Sequence, residues 1–464
     1  MPLIKAWLLN VVYLTLMLVA LPWIVWAALK QGKYREGFGE KLLGLVPRRE
    51  GKRPCVWLHA VSVGEVNLLA TTLAELQRRH PDLELVVSTT TKAGYDLACR
   101  KYAEHTVFYC PLDLSWAVRK AMRRLRPNLL VLAELELWPN LIDAAKRSGA
   151  AVAIINGRMG DKSFRGYYRL RRFVRPVLQQ LNLIAAQNEE IATRFRRCGA
   201  EPTSVATSGS LKFDGAQTDR ANAKTLELRR LAGIEDEAIV FLAGSTQEPE
   251  ETYALEVFQQ LAPEYPQLRL ILVPRHPQRF EEVARLLDVS GVAWQRRSEL
   301  PPELQHIAAN DPTTDNADST TANRDTAHCN CPRILLVDTI GELGAWWGTA
   351  TIGFVGGTFG SRGGQNMLEP AAYGVATCFG PNTWNFRDIV TQLLAVDGVT
   401  VVQDQEELQQ FVRCSLEDPQ TAHQLGQRAR NLVLAQQGAT KRTVDLLLPL
   451  IAASPRASAA NRAA

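Results

Sequence analysis

The chain lacks the short motifs that identify the commonest nucleotide-dependent enzymes. No GxxxxGK[ST] segment occurs, which argues against a P-loop nucleoside triphosphatase. No GxGxxG segment opens the first part of the chain, which argues against a dinucleotide-dependent oxidoreductase. No Asp-x-Asp follows an apolar run, so the sequence does not indicate a divalent metal that holds a diphosphate.

Cysteine is sparse and unpaired, and the sequence predicts neither a disulfide framework nor a metal site. The eight cysteines are scattered without a CxxC pair, which favours reduced thiols in the cytosol. Asp311, Asp315, Asp318 and the 328–331 segment do not have the spacing of a calcium loop or a zinc site. We therefore expect no metal and no cofactor.

Charge is distributed unevenly along the chain. Residues 1–209 contain 31 Lys and Arg against 17 Asp and Glu, a balance of +14, and residues 210–464 contain 22 against 31, a balance of −9. A basic first half suits an anionic partner, and charge alone leaves open a nucleic acid, an anionic membrane surface, a phosphorylated lipid or a solvated face.

One long apolar run opens the chain. Residues 6–29 carry no charge, have Trp7, Trp23 and Trp26 near their ends, and are followed by a basic cluster over 30–53. This pattern predicts an uncleaved membrane anchor, spanning or interfacial, with the rest of the chain in the cytoplasm. A cleaved signal peptide is the alternative, but the run is long for one and the basic cluster resists translocation.

Apolar runs alternate with helical periodicity through the rest of the chain. This alternation predicts α/β architecture with two parallel sheets, each covered by helices on both faces. Two such domains facing each other would put both ligand-binding rims on one cleft. We expect an anchor over 1–30, a first domain over 31–209, a second domain over 210–440, and a C-terminal helix with a disordered tail over 441–464. The polar, aperiodic 298–332 segment of the second domain predicts a disordered insertion.

A glycine-rich stretch over 352–390 is the strongest local signal. An apolar run ends at Gly356–Gly357, further glycines follow at 360, 363 and 364, and a helix is expected to open at about residue 365. Glycines let backbone N–H groups approach an anion, and a helix N-terminus favours one. The pattern favours a phosphate or nucleotide site, with a set of tight turns as the alternative.

Three glutamates follow predicted strands in the first domain. Glu65 lies in a Ser62-x-x-Glu65 capping box, so helix capping competes with catalysis as its function. Glu134 and Glu136 would point the same way if both still have strand geometry, and such a pair could perform acid–base chemistry, with capping of the next helix by one of them as the alternative. In the second domain, Arg275 suits a phosphate and Glu369 could accept hydrogen bonds from ribose hydroxyls or simply favour the first helical turn.

The motifs taken together resemble the 3-deoxy-D-manno-octulosonic acid (Kdo) transferases. The segments that carry the resemblance are VSVGEV at 61–66, ELELWPN at 134–140, NGR at 156–158, GST at 244–246, PRH at 274–276, DTIGEL at 338–343 and the 356–386 block. The resemblance implies a GT-B glycosyltransferase, with two Rossmann-like doubly wound domains that face a central cleft. It also implies that the enzyme inverts the anomeric centre without a metal. It implies CMP-Kdo as donor, an acylated, phosphorylated glucosamine disaccharide lipid as acceptor, the cell inner membrane as location and no nucleic-acid partner.

The resemblance also implies roles for individual residues. Glu65 corresponds to the proposed general base of the family. The expected donor-binding residues are Ser245, Thr246, Arg275, His276, Gly341, Glu342, Gly363, Gly364, Asn366 and Glu369, and the expected acceptor or cleft residues are Glu134, Glu136, Asn156 and Arg158.

The chain departs from the family pattern at four positions. Gln247, Gln365 and Asn382 stand where the family usually has His, and Leu135 where it usually has Thr. Gln and Asn keep hydrogen bonds but cannot become cationic near neutral pH, so we expect altered ligand contacts with the activity retained. A GT-B enzyme with another nucleotide sugar and a non-catalytic membrane-tethered binding protein remain as alternatives.

Overall fold

Two α/β units make up the chain. The computed structural model describes residues 3–31, 36–300 and 332–452. The first unit contains residues up to Gly215 together with the segment from Gln436 onward, and the second contains Ala216–Ala435. The predicted insertion falls almost wholly outside the described residues, as does the tail after residue 452.

A seven-stranded parallel sheet in the order β3-β2-β1-β4-β5-β6-β7 forms the first unit. Its strands are β1 (Cys55–His59), β2 (Glu84–Thr89), β3 (Thr106–Tyr109), β4 (Leu129–Ala133), β5 (Ala151–Gly157), β6 (Leu183–Ala186) and β7 (Val205–Thr207). Its helices are α1 (Leu3–Gln31), α2 (Phe38–Leu43), α3 (Val63–Arg79), α4 (Lys92–Lys101), α5 (Ser115–Leu125), α6 (Pro139–Arg147), α7 (Asp161–Arg169), α8 (Arg171–Leu178) and α9 (Glu189–Cys198).

A second seven-stranded parallel sheet, in the order β10-β11-β9-β8-β12-β13-β14, forms the second unit. Its strands are β8 (Ile239–Thr246), β9 (Leu268–Pro274), β10 (Trp294–Arg296), β11 (Ile334–Leu336), β12 (Ile352–Val355), β13 (Ala376–Phe379) and β14 (Thr400–Val401). Its helices are α10 (Ala223–Leu231), α11 (Glu250–Leu261), α12 (Phe280–Val289), α13 (Leu343–Trp346), α14 (Leu368–Tyr373), α15 (Arg387–Ala395), α16 (Gln405–Glu417) and α17 (Pro419–Gln436).

The central strands are buried along their whole length because helices cover both faces of each sheet. In the first unit, one core contains Trp57, Phe108 and Phe195, and the opposite core contains Leu58, Leu69 and Leu447. The last helix, α18 (Ala439–Ala452), supplies Leu447, so the end of the chain packs on the first unit. Continuous apolar strands of this kind are the signature of a parallel sheet between two helical layers.

The fold class predicted from the sequence is confirmed for each unit, and two details differ. The short edge strands β7 and β10 have three residues each and no strong apolar run, so their periodicity gave no signal. The helix expected to open near residue 365 begins at Leu368 and has six residues. Residues 365–367 belong to the loop, where Asn366 Oδ1 accepts the Leu368 N–H at 3.2 Å, a local side-chain bond that competes with helix.

Helix α1 is long and apolar enough to cross a membrane. Its most apolar window, Ala6–Trp23, has a mean hydropathy of 1.8 and is only 11% buried. Most of the large apolar side chains described in this helix are exposed, among them Leu18 and Val19. In water this apolar surface would stay exposed, which is unfavourable, whereas a membrane would cover it.

Candidate functional site

In each sheet the strand order reverses beside the first strand of the unit. The neighbours of β1 are β2 and β4, and the neighbours of β8 are β9 and β12. Connections on the two sides of such a reversal run in opposite directions and leave a crevice at the carboxyl ends of the strands, where doubly wound proteins bind ligands. The loops after β1 and β4, and those after β8, β9 and β12, are therefore the candidate sites of the two units.

Glu65 lies in the first turn of α3, directly after β1. Its backbone N–H donates to Ser62 Oγ at 3.3 Å, the Ser62 hydroxyl donates to Glu65 Oε1 at 2.9 Å, and the Val61 N–H donates to Glu65 Oε2 at 2.8 Å. The capping arrangement is thus present, with the carboxylate bonded to the N–H one residue before the cap. These bonds hold both carboxylate oxygens in place beside the crevice. The Glu65 side chain caps the helix and is still only partly buried.

Three carboxylates gather at the reversal point of the first unit. Burial raises the pKa of Glu65, against the hydrogen bonds from Val61 and Ser62, and Glu134 raises it further by charge repulsion. Burial raises the pKa of Glu136 to about 7, and the charges of Glu65 and Glu134 add to this shift. The three carboxylates therefore lie within electrostatic range of one another, and raised pKa values of this kind are common at acid–base sites.

Strand alternation does not explain the proximity of Glu134 and Glu136. Strand β4 ends at Ala133, and Glu134 has a φ of 56°, in the left-handed region. The Glu134 N–H donates to the carbonyl of Ile155 at 2.9 Å, which ties the turn to β5. Glu136 accepts a hydrogen bond from Trp138 Nε1 at 2.8 Å. A turn, and not a continued strand, brings these carboxylates to the crevice.

Asn156 and Arg158 follow the next strand, β5, and differ in environment. Asn156 is fully buried, has a φ of 52°, and accepts the Leu211 N–H at 3.1 Å through Oδ1. This bond ties the end of β5 to the segment after β7, so the Asn156 side chain has a structural function. Arg158 is exposed at the same edge of the sheet.

A buried carboxylate organises the glycine loop of the second unit. Glu250, at the start of α11, is only 1% exposed. It accepts the backbone N–H groups of Gly357 at 2.7 Å, Thr358 at 2.9 Å and Phe359 at 3.1 Å, and also that of Gln247 at 2.9 Å. These loop N–H groups are therefore bonded within the protein and are unavailable to a phosphate. Sequence analysis missed Glu250, whose only signal was an acidic residue in a first helical turn.

The later part of the same loop requires glycine. Gly363 and Gly364 have φ values of 87° and 88°, and a Cβ at 363 would overlap the indole of Trp384. The Gly364 N–H donates to the carbonyl of Gly357 at 2.8 Å, which closes the loop. Tight turns thus account for both glycines, and the backbone between Gly360 and Gly363 is the part of the loop that a ligand could contact.

Cationic side chains meet where β9 ends and the glycine loop turns. Arg362 Nη1 lies 3.1 Å from His276 Nε2. Burial and the charges of Arg362, Arg275 and Arg279 lower the pKa of His276. The ring is therefore neutral near pH 7 and accepts the Arg362 N–H through Nε2. Arg275 is exposed, and with Arg362, which sequence analysis did not select, it offers donors to an anion.

Glu369 and Asn366 form a pair beside this cationic group. Asn366 Nδ2 donates to Glu369 Oε1 at 3.0 Å, and Asn366 Oδ1 accepts the Leu368 N–H at 3.2 Å. Burial raises the pKa of Glu369, while the hydrogen bond from Asn366 and the charge of Arg275 lower it. The structure therefore brings three predicted donor residues together: Arg275, Asn366 and Glu369.

The other predicted donor residues have different surroundings. Ser245 and Thr246 are buried at the end of β8, where Ser245 has a φ of 56° and Thr246 Oγ1 has no hydrogen-bond partner among the described residues. Gly341 has a φ of 91°. Glu342 accepts two hydrogen bonds from Arg297, each at 3.1 Å, and one from the Thr339 hydroxyl at 2.7 Å. The Glu342 carboxylate is thus already paired within the protein.

The four positions that depart from the family pattern have different environments. Asn382 Nδ2 donates to the carbonyls of Phe359 and Gly360 at 3.2 and 3.0 Å, so it fixes the glycine loop. Gln365 is 9% exposed, and its Nε2 has no partner within the described segments. Leu135 packs against the core of the first unit, as Leu137 does. The Gln247 backbone joins the Glu250 cluster, since its N–H is one of the four bonded there.

No group of three or more His, Cys, Asp or Glu side chains within residues 3–31, 36–300 and 332–452 could hold a metal ion.

Comparisons with known proteins give a consistent result. Residues 36–215 match the family model for 3-deoxy-D-manno-octulosonic-acid transferase (kdotransferase). The chain is 30% identical to the 3-deoxy-D-manno-octulosonic acid transferase of Bordetella pertussis over 84% of this chain and 86% of that protein. It is 29% identical to the transferase of the same name from Haemophilus influenzae over 95% of this chain and 98% of that protein.

A structural comparison supports the fold independently. The crystal structure of UDP-GlcNAc 2-epimerase from Neisseria meningitidis matches with a TM-score of 0.53 and 12% identity, covering 85% of this chain and all of that one. At this identity the likeness concerns the fold alone. The sequence relationships carry the family assignment, and the chain belongs to the 3-deoxy-D-manno-octulosonic acid transferase family of glycosyltransferases.

Proposed function

We propose that this protein transfers Kdo from CMP-Kdo to lipid IVA, the acylated, phosphorylated glucosamine disaccharide precursor of lipid A, in lipopolysaccharide synthesis. Family membership supports Kdo as the transferred sugar. The observation that carries the proposal is the gathering of Glu65, Glu134 and Glu136 at the strand-order reversal of the first unit, within the matched family region.

Glu65 is the proposed general base. An acceptor hydroxyl loses its proton to the carboxylate while its oxygen forms a bond with the anomeric carbon of Kdo. The bond from that carbon to the phosphate oxygen breaks in the same displacement, and its electron pair leaves with CMP. The bonds from Val61 and Ser62 orient the Glu65 carboxylate and favour its ionised form, which a base requires. The displacement is inverting and needs no metal.

The second unit is the proposed donor site. Its cationic group, Arg275 and Arg362, would stabilise the charge that develops on the departing phosphate. Asn366 and Glu369 would bind the polar groups of the nucleotide. Because Glu250 occupies the first N–H groups of the glycine loop, we assign the phosphate contact to the arginines and the backbone near Gly363.

The membrane position is part of the same proposal. Helix α1 would hold the protein at the inner membrane, with both units on the cytoplasmic face, where the basic first unit meets an anionic lipid. Arg158, exposed at the carboxyl edge of the first sheet, is a proposed contact for the acceptor phosphate.

Transfer by purified full-length protein tests this function. Incubation with CMP-Kdo and lipid IVA should yield lipids heavier by one or more Kdo units, and chelation by EDTA should leave the rate unchanged. Glu65→Gln should lower the rate by about 10²–10⁴-fold, the usual contribution of a general base. Glu75→Gln, the same substitution on the same helix, α3, is the matched control and should retain activity.

The outcomes separate the proposal from its alternatives. Absence of transfer by the intact protein would refute the Kdo transferase activity, and tight CMP-Kdo binding without transfer would favour a binding protein. Transfer from another nucleotide sugar alone would change the donor. A native rate in Glu65→Gln would limit Glu65 to helix capping, and a rate loss in Glu136→Gln instead would assign the base to Glu136.

A further inference from the structure

Helix α1 docks on the first unit through polar side chains on one stripe of an apolar helix. Asn10 is buried, and its amide donates to Ser115 Oγ at 2.8 Å while its Oδ1 accepts the Ser115 N–H at 2.9 Å. The Tyr13 hydroxyl donates to Asp113 Oδ2 at 3.2 Å. Asp113 also accepts the N–H groups at the start of α6, so these bonds attach α1 where α5 and α6 begin.

This docking builds a groove of about 420 Å³ between α1 and α5. Its lining combines apolar side chains with two arginines and contains no carboxylate. The lining residues are Trp7, Asn10, Val11, Leu14, Ser115, Trp116, Arg119 and Arg123. The volume is within the range of small-molecule and lipid sites, about 300–1,000 Å³.

The apolar wall of the groove is open to its surroundings. Trp7, Val11, Leu14 and Trp116 are between 42% and 73% exposed. Trp116 is fixed by a hydrogen bond from its Nε1 to the carbonyl of Leu42 at 2.9 Å. Burial of such side chains against an acyl chain would remove apolar surface from water, which is favourable.

The two arginines supply the charge of the groove. Arg119 Nε and Nη2 donate to the carbonyl and Oγ of Ser115 at 2.8 and 2.9 Å, which orients the guanidinium. Neither Arg119 nor Arg123 has a carboxylate partner among residues 3–31, 36–300 and 332–452. Asp143 of α6 lines a neighbouring pocket together with Arg119, but its ion pair is with Arg147 at 2.7 Å. The charge of both arginines is thus left for an anion.

We propose that the α1–α5 groove binds an anionic membrane phospholipid. Its phosphate contacts Arg119 and Arg123, and an acyl chain lies against Trp7, Val11 and Leu14. Charge complementarity selects the anionic headgroup, and the continuity of the apolar wall with the exposed face of α1 selects a lipid over a soluble phosphate. The inference rests on the membrane location proposed above and on neither the donor nor the acceptor.

Lipid titration of the full chain in neutral detergent tests the site. Native mass spectrometry would count bound phosphatidylglycerol, with phosphatidylcholine as the uncharged comparison. Arg119→Gln/Arg123→Gln should weaken phosphatidylglycerol binding on the order of 30-fold, and Arg123→Gln alone about fivefold. The single variant matters because Arg123 makes no hydrogen bond in the described structure and its loss should leave folding intact.

A charge-matched double variant serves as control. Arg100→Gln/Lys120→Gln removes the same charge from the same unit without touching the groove, and its lipid affinity should stay within about twofold of the native value. Brominated acyl chains should quench native tryptophan fluorescence more than that of Trp116→Phe, because Trp116 lines the groove.

Several outcomes would overturn the proposal. These are unchanged phosphatidylglycerol affinity in Arg123→Gln and the double groove variant, an equal loss in the control, or equal binding of phosphatidylcholine. If inorganic phosphate displaced phosphatidylglycerol completely, the acyl chain would not contribute to binding. If the protein retained lipid IVA in preference to phosphatidylglycerol, the groove would belong to the acceptor. Loss of Kdo transfer with lipid binding retained would affect only the proposed function.

Discussion

Replacement of Glu250 by Gln should release the glycine loop of the second unit. The Glu250 carboxylate accepts four backbone N–H groups, from Gln247, Gly357, Thr358 and Phe359. A Gln side chain has nearly the same shape but only one oxygen, and its NH₂ group would face two of these donors. The substitution thus leaves buried N–H groups without an acceptor.

The energetic cost follows from the number of lost bonds. Each buried donor without a partner costs about 1–3 kcal/mol. Burial also raises the pKa of Glu250, so the native carboxylate already carries a desolvation cost that the substitution removes. We therefore expect a net loss of about 2–4 kcal/mol for two unpaired donors, confined to the loop and the strand ends it joins.

Amide hydrogen exchange measures this loss where it occurs. Exchange at Gly357, Thr358 and Phe359 should accelerate by about 30- to 700-fold, because each 1.4 kcal/mol of local stability corresponds to tenfold. Calorimetric affinity for CMP should fall in parallel if the loop forms the donor site. Glu251→Gln is the matched control, since Glu251 is equally buried but pairs with Arg279 at 3.2 Å and does not contact the loop.

The control separates local release from general destabilisation. Glu251→Gln removes one partner of Arg279, which keeps Glu248 and Glu282 as partners. Global stability should therefore fall by about 1–3 kcal/mol, the range for a hydrogen bond to a charged group, while the loop amides keep their acceptor. Equal protection of these amides in Glu250→Gln and the native protein would refute the reasoning. So would an identical exchange pattern in the two variants.

Two further predictions concern pH and backbone conformation. The folded-state pKa of Glu136 is about 7 against an ordinary 4.5, so the folded protein binds more protons between these values and stability falls as pH rises. In urea denaturation, Glu136→Gln should raise the free energy of unfolding by about 1–2 kcal/mol at pH 8, a value reduced to allow for the partial exposure of the side chain. An equal increase at pH 4 would contradict this prediction. Gly363→Ala should lower the melting temperature, because residue 363 has a positive φ and its new Cβ would overlap the Trp384 indole. Gly360→Ala is the control, since a Cβ at position 360 would meet open space. Equal melting temperatures of the two variants would contradict the conformation assigned to Gly363.

Much of the fold and part of each site could be predicted from the sequence. The buried strands were predicted from apolar runs in the sequence. The polar residues that follow these runs, such as Glu65 and Arg275, lie just past the carboxyl ends of the strands, as expected. Glu250 and Arg362 were missed because their importance depends on partners distant in sequence: loop amides about 107 residues away for Glu250 and His276 for Arg362. Glu134 and Glu136 were expected to point the same way only if the strand continued through them, and Glu134 instead lies in a turn.

The sequence by itself determined the α/β class, the apolar N-terminal helix and the family, because these depend on periodicity, composition and motifs that are local along the chain. Only the tertiary structure decided which groups pair. In the folded chain Asn156 accepts a hydrogen bond from Leu211, Glu342 accepts one from Arg297, Glu250 accepts those of the loop amides, and Asn10 accepts one from Ser115. Hydrogen bonds and pKa shifts depend on distances of a few ångströms between residues far apart in sequence, and only the folded chain sets those distances.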